Sequence, residues 1–278
     1  MAVIGDAMLD VYVQCEVVGP SPEDELAHKV KPVKTTSSMG GAANVAANLR
    51  AMGADVTLFA VVGEDDETIR QEFGDSMYVL PGRRTTVKKR IVTKSGRHIV
   101  RIDEETTENI PPDLADAVLH MIRNGGFDGT VVSDYAKGMV TDRLLDGLPP
   151  GYVADPKGRN MSRYADAHTI TPNATEYAQA SSLPDCHVVV TCASEGAILH
   201  GHGTERRIPQ PNPRSFGDPT GCGDSFLAGL AIGLVSGLTI EESITVGNAA
   251  GALAYESSGT TAITMHQVLK ELSRTSPS

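Results

Sequence analysis

Apolar residues recur along the chain in short blocks whose spacing switches between continuous runs, alternation by two and a helical period. Ala2-Val3-Ile4 is an apolar run stopped by Gly5 and Asp6, the pattern of a buried strand that starts at residue 2, with no appendage expected before it. Between Val11 and Ser38 the pattern is extended and irregular, interrupted by Pro20, Pro22 and Pro32, which predicts strands of a small flap outside the main layer. From Gly41 to Met52 the segment AANVAANLRAM has helical spacing, and Gly53 follows as a stop. Val56 to Val62 predicts a second buried strand. Thr85 to Ile102 alternates and is rich in lysine and arginine, which predicts a hairpin turning near Ser95-Gly96.

Beyond residue 112 the alternation becomes regular. It predicts a helix over Asp113–Arg123, a strand over Gly129–Ser133, a helix around Thr141–Gly147, then strands at Tyr152–Asp155, Thr169–Thr171 and His187–Thr191. A helix opens in the glycine-rich stretch at Gly221 and runs to about Gly237, and two more start at Ile240 and His266. Strands alternating with helices mean a mostly parallel sheet covered on both faces, in which ligands bind beyond the carboxyl ends of the strands. No internal repeat is present, and the Ser/Thr/Pro tail, residues 273–278, is expected to be disordered.

Composition narrows the functions this scaffold can serve. The 278 residues are 40% apolar and carry a formal net charge of −11, which argues against a partner that is nucleic acid or a membrane surface. Phe226–Leu238, the longest apolar stretch, is too short and too glycine-rich to span a bilayer. Cys15, Cys186, Cys192 and Cys222 form neither a CxxC pair nor a zinc spacing, so a reducing cytoplasmic location is expected. The tract His200-Gly201-His202-Gly203 lacks acidic or cysteine partners at ligand spacing and reads as a turn.

The stretch Asp218-Pro219-Thr220-Gly221-Cys222-Gly223-Asp224 carries the most chemistry. Its glycines let a ligand approach the backbone, and the first free amides of the helix that follows make an anion site suited to phosphate. Asp224 lies in the first helical turn, where the dipole favours a carboxylate and is expected to keep it ionised. Asp224 also reads as a plain helix cap, but a cap does not need the run of unbulky positions around it. A Walker loop is excluded because no Gly-Lys dipeptide exists, and the dinucleotide fingerprint fails at Phe226.

These residues resemble the ribokinase-like (PfkB) carbohydrate kinases along nearly the whole chain, here taken as one kinase domain over residues 1–278. The stretch 218–224 resembles that family's C-terminal signature. Gly40-Gly41-Ala42-Ala43-Asn44 resembles its GG-x-x-x-N element, Asp6-Ala7-Met8-Leu9-Asp10 its opening substrate aspartate, and Asn173-Ala174-Thr175-Glu176 its N-x-x-E element. Within the family, the segments at Gly5–Asp10, Ser21–Glu23, Ser133–Gly138, Asp155–Gly158 and Thr171–Asn173 look like D-glycero-β-D-manno-heptose 7-phosphate kinases, which phosphorylate C1 of the sugar for lipopolysaccharide synthesis. The resemblance implies a three-layer α/β/α sandwich with a mostly parallel central sheet and a small β-strand lid built from about 11–38 and 85–102.

It further implies ATP and Mg²⁺ as cofactors, with potassium as a candidate monovalent cation at Asp218 and Thr220. The amides of Gly221, Cys222 and Gly223 would hold the transferring phosphoryl while Asp224 orients the acceptor hydroxyl and takes its proton late. Asp10, Gly40, Gly41, Asn44 and Asp155 would bind the sugar. Glu176, beside Asn173, would organise Mg²⁺ through water. Thr191, Ser194, Glu195, Gly196 and Asn248 would line the nucleotide.

A phosphorylated sugar needs cations, and Lys88, Arg90, Arg101, Lys137 and Lys157 are the candidates; the cluster between 88 and 101 reads equally as a soluble edge strand. A homodimer through the lid is a further implication. Other family members acting on ribose, fructose, a hexose phosphate or a nucleoside are the rival readings, as is a scaffold that has lost catalysis. Three departures stand out. Cys222 replaces the usual small alanine; the connections at Glu64–Gly82, Met139–Tyr152 and Glu176–His187 are short; and no nucleotidyltransferase half follows, as expected of a monofunctional enzyme or an excised domain.

Overall fold

Alternation within the strands sends apolar side chains to both faces of one large sheet, and helices bury both. Residues 1–24, 26–65, 67–74, 77–201, 203–214, 217–257 and 259–274 are described by a computed structural model of the chain. The large sheet has nine strands: β1 (Ala2–Gly5), β4 (Thr57–Val62), β5 (Met77–Val79), β8 (Thr130–Ser133), β9 (Tyr152–Asp155), β10 (Ala167–Ile170), β11 (His187–Thr191), β12 (Ala197–Gly201) and β13 (Thr204–Ile208). Their spatial order is β13-β12-β11-β10-β9-β8-β1-β4-β5, parallel from β5 through β11. β12 and β13 add an antiparallel hairpin at the edge.

β1 and β4 each serve two cores. Val3 of β1 joins Leu58, Ala60 and Val62 of β4 on the face covered by α1 (Ala42–Ala51) and α6 (Cys222–Val235). Ala2 and Ile4, with Phe59 and Val61, face the opposite side, where α3 (Pro112–Asn124) and α4 (Asp142–Gly147) pack through Ala115, Val118, Leu119, Ile122, Leu144 and Leu145. This period of two is what a doubly covered sheet requires. α6 is buried on nearly all sides from Asp224 to Ala231, the pattern of a central helix. α7 (Ile240–Tyr255) and α8 (Met265–Ser273) close the layer, each opened by a capping box, Thr239 with Glu242 and Thr264 with Gln267.

A second, four-stranded sheet stands apart, ordered β3-β2-β6-β7. β2 (Ala7–Pro20) and β3 (His28–Gly41) form a long hairpin rooted deeper than its sequence suggests, at Ala7 and Gly41 rather than 11 and 38. Pro32 is tolerated where the register shifts between Gln14 and Cys15, a bulge that needs no ladder donor there. β6 (Thr86–Thr93) and β7 (His98–Glu104) complete the sheet, turning at Gly96.

Three short elements lack a clear sequence period: α2 (Thr68–Phe73), α5 (Ala174–Gln179) and β5. The Gly201–Gly203 tract lies at the turn between β12 and β13; His202 falls outside the described residues. Ser273, assigned to the tail from sequence, belongs to α8, and residues 275–278 lie outside the described residues. Among the described residues no helix is long and apolar enough to cross a membrane, and all four cysteines are free.

Candidate active site

The carboxyl ends of β1, β8 and β9, the base of the lid and the N-terminus of α6 meet at one corner. Gly221 caps α6 in the left-handed conformation, φ 78°, and a side chain there would collide with Asn44 Nδ2, so glycine is required twice over. A side chain at Gly223 would meet no protein atom, so the space over the first turn is open. The Cys222 amide is not free to face that space: it turns back to the Pro219 carbonyl at 3.3 Å. The expected set of three open amides is therefore short by one. The Cys222 thiol also points away, 3.6 Å from the Asp218 carbonyl oxygen, and burial pushes its pKa up to about 12.

Asp224 is buried, with both carboxylate oxygens engaged. Asn44 Nδ2 donates to Oδ2 at 2.8 Å, and the Tyr135 hydroxyl donates to Oδ1 at 2.8 Å. Asn48 Nδ2 donates to Asn44 Oδ1 at 3.1 Å, which turns the Asn44 amide nitrogen toward Asp224. Burial raises the Asp224 pKa to about 6, against the opposing pull of these two hydrogen bonds and Lys88. The carboxyl stays ionised at neutral pH, as the helix dipole leads one to expect, but it titrates higher than the dipole alone would place it. Desolvation of a buried carboxyl outweighs a dipole contribution of about 0.3–1 kcal/mol.

On the lid side, Asp10 is buried and forms an ion pair with Arg90. Gly40 packs so closely on Asp10 Oδ2 that no side chain fits, and Gly41, φ 58°, lies against the Asp6 carbonyl. Lys88 stands 4.7 Å from the centroid of the Tyr135 ring, its pKa lowered by burial and partly restored by Asp10 and Asp224. Of the other expected cations, Arg101 is exposed and forks onto Asp103 at 2.9 and 3.0 Å. Lys137 pairs with Glu105 at 2.7 Å, and Lys157 pairs with Glu176. Asp155 closes β9, and burial, together with Glu176 and Asp224, pushes its pKa well above the usual range.

The residues expected to line a nucleotide sit along the next strands of the sheet. Asn173 and Glu176 form a reciprocal capping box at the start of α5, the Glu176 amide donating to Asn173 Oδ1 at 3.0 Å and the Asn173 amide to Glu176 Oε2 at 3.1 Å. This gives the N-x-x-E spacing a local structural duty. Thr191 ends β11 and its amide donates to the Pro172 carbonyl at 3.0 Å. Ser194 and Glu195 lie in a short 3₁₀ turn, Glu195 pairing with Arg207, and Gly196 follows at φ 92°. Asn248 is buried on α7 and donates to the Ile208 carbonyl at 3.0 Å.

Asp218 and Thr220 are tied to the lid. The Tyr12 hydroxyl lies 3.1 Å from Asp218 Oδ2 and 2.9 Å from Thr220 Oγ1, while the amides of Gly259 and Thr220 donate to the same carboxylate at 2.9 and 3.0 Å. Burial pushes the Asp218 pKa up, but these hydrogen bonds win and hold it below the ordinary value. Thr260 Oγ1 reaches Ser38 Oγ and the Met39 carbonyl, each at 2.6 Å, and makes a second tie.

Three contributors escape sequence reasoning. Tyr135 lies within the quoted segment Ser133–Gly138, yet nothing in spacing shows that its phenol reaches Asp224. Asp6, at the start of the segment that carries Asp10, accepts from the amides of Tyr135, Lys137 and Met139 at 2.8, 3.0 and 3.0 Å. Tyr12 reads as one more alternating strand residue. Contacts between segments 89 to 208 residues apart leave no local signal.

A nine-stranded, mostly parallel sheet, a separate four-stranded sheet and a glycine-capped helix define the architecture. Among solved structures, this chain superposes on a ribokinase from Thermotoga maritima with a TM-score of 0.78, at 17% identity and 98% coverage of both chains. It superposes on an Arabidopsis thaliana ribokinase complexed with ribose and ATP with a TM-score of 0.75, at 19% identity and 98% and 97% coverage. The fold is ribokinase-like. The model of the pfkB family carbohydrate kinases matches residues 1–267, and the chain belongs to that family, whose members transfer a phosphoryl group to a sugar hydroxyl. Curated relatives include the bifunctional protein HldE of Trichlorobacter lovleyi, 32% identical over 98% of this chain, and that of Azorhizobium caulinodans, 33% identical over 99%. The chain spans 62% and 64% of their lengths.

Proposed function

We propose that the chain is an ATP-dependent kinase that phosphorylates the C1 hydroxyl of D-glycero-β-D-manno-heptose 7-phosphate, giving the 1,7-bisphosphate. The observation that carries the reading is Asp224, a buried carboxyl with a pKa near 6 beside the open first turn of α6. A group with that pKa is ionised at neutral pH yet basic enough to accept a proton as the acceptor oxygen attacks. In the step, a bond forms between the sugar oxygen and the γ-phosphorus, the bond from that phosphorus to the β,γ-bridging oxygen breaks, ADP departs, and the hydroxyl proton goes to Asp224. The amides of Gly221 and Gly223 receive charge spreading onto the equatorial oxygens. Cys222 contributes chain direction rather than a free amide.

Asp10, Gly40, Gly41, Asn44 and Asp155 hold the sugar. Thr191, Ser194, Glu195, Gly196, Asn173 and Asn248 line the nucleotide. The Glu176 carboxylate keeps acceptor capacity beyond Lys157 and the Asn173 amide, and as an oxygen donor it suits a hydrated Mg²⁺. Bound there, the ion would draw charge from the phosphates. Asp218 is already met by three donors, so a potassium ion at this corner would compete with Tyr12 for the same carboxylate.

The heptose phosphate assignment draws on the segment resemblances and on Lys88. Among the described residues Lys88 makes no ion pair, and it faces Asp10 and Asp224, whereas Arg101, Lys137 and Lys157 are spent on Asp103, Glu105 and Glu176. A lysine held without an ion pair near the acceptor is available to a dianionic substrate. A lid dimer is part of the reading, since Val17, Val18, Val33, Val100 and Ile102 leave the small sheet with exposed apolar side chains that a second copy would cover.

The test is ADP formation at fixed MgATP across free and phosphorylated sugars. The reading expects turnover with heptose 7-phosphate far above free heptose, ribose, fructose, hexose phosphates and nucleosides, and selective loss of the phosphosugar in Lys88→Glu. Preference for an unphosphorylated sugar, or a Lys88→Glu enzyme with unchanged phosphosugar activity, overturns it.

A further inference from the structure

The loop between β8 and α4 is built with more constraint than a connection needs. Ala136 has φ 55°, a left-handed conformation that a residue with a side chain adopts only under constraint. The Asp134 carboxylate holds it by accepting from the Ala136 amide at 2.7 Å. Asp6 accepts from three further amides of the loop, those of Tyr135, Lys137 and Met139. Gly138 lies against the Glu108 carbonyl with no room for a side chain. Two buried carboxylates are thus committed to one short bend.

What the bend delivers is the phenol of Tyr135, 2.8 Å from Asp224 Oδ1, with Lys88 over its ring. Asn44 holds the other oxygen at the same distance. We propose that Tyr135 is a positioning residue for Asp224: its hydroxyl fixes one carboxylate oxygen while Asn44 fixes the other, so that the acceptor hydroxyl is met in a single orientation. The inference rests on the reading of Asp224 as the group that takes the acceptor's proton.

A phenol that donates to a buried carboxylate favours the charged form. The charged and titratable groups facing Asp224 are Asp10 from β2, Lys88 from β6, Asp155 from the end of β9 and the Cys222 thiol from its own helical turn. Tyr135→Phe leaves all of them in place and keeps the aromatic ring, so it isolates the hydroxyl.

The experiment follows the Asp224 carboxyl directly by carbon-13 NMR of the full chain labelled at aspartate Cγ, with Asp224→Asn to assign the signal. In Tyr135→Phe the titration midpoint is expected to rise by about one pH unit, the size of one lost charge-assisted hydrogen bond. The acid limb of kcat/KM moves by the same amount, kcat falls, and KM for MgATP stays within about twofold, a split that a merely structural tyrosine would not produce. Asp6→Asn slackens the loop without touching Asp224 and is expected to move the midpoint the same way by less; it decides the matter if the phenylalanine variant does not fold. A midpoint unmoved in the folded variants overturns the proposal even in an active kinase. If the wild-type protein turns over no sugar, the kinase reading falls, and the NMR midpoint still decides whether Tyr135 governs Asp224.

Discussion

Asp224 shows how two physical effects compete at a single side chain. A helix N-terminus stabilises a carboxylate by about 0.3–1 kcal/mol, which is less than one pH unit. Full burial shifts a carboxyl by as much as several units in the other direction, and here it prevails over Asn44, Tyr135 and Lys88. The sign for activity follows: the ionised acid is the working form, so kcat/KM should rise with pH through a midpoint of about 6 and fall away below it. A profile flat from pH 5 to 8 would remove Asp224 from the proton path. Asp224→Asn is expected to lower kcat by about 10²-fold or more while leaving MgATP affinity nearly unchanged by calorimetry. Loss of nucleotide binding instead would make the residue structural. The Arg90–Asp10 pair is buried on both sides, so Arg90→Leu strands a carboxylate and should cost about 3–5 kcal/mol of stability in a denaturant titration.

At the scale of elements, the lid hairpin and the loop that opens α6 are tied by Tyr12 to Asp218 and Thr220, and by Thr260 to Ser38 and Met39. Tyr12→Phe removes one tie while keeping the ring beneath Arg90. Lost hydrogen bonds of about 0.5–1.5 kcal/mol predict a KM for sugar raised roughly two- to tenfold, with faster amide exchange along β2. Unchanged exchange would mean that the latch does not hold the lid. The elements themselves were largely legible. Runs such as Ala2–Ile4 and Val56–Val62 are bounded by clear punctuation, and α1 ends at the glycine its spacing predicts. The edge hairpin β12–β13 and the six-residue helices α2 and α5 were not, because so few residues hold little periodicity. Within the site, Asp224 and Gly221 stand out through the glycine-rich opening of α6, whereas Asn44 enters only through the GG-x-x-x-N resemblance, which points to a sugar and not to the Asp224 carboxylate. Tyr135, Tyr12 and the duty of Asp6 were not, because they depend on partners brought together only by the sheet order.

For the whole molecule, the parallel sheet gathers its strand ends at the corner where α6 begins, and the second sheet stands over it. The proposed lid dimer would cover the exposed valines of that second sheet. Sedimentation should show a dimer in wild type and a monomer in a Val18→Asp, Val33→Asp double variant that keeps its secondary structure. A wild-type monomer at micromolar concentration would contradict the lid interface. The central claim is that phosphoryl transfer takes place over the first turn of α6, with Asp224 directing the acceptor. A crystal structure with a non-hydrolysable ATP analogue and the sugar phosphate tests this most directly. The account predicts an oxygen of the terminal phosphate accepting from the Gly223 amide and the acceptor hydroxyl donating to Asp224. A phosphorus bound elsewhere, or an Asp224 carboxylate still closed off from the sugar, would contradict it.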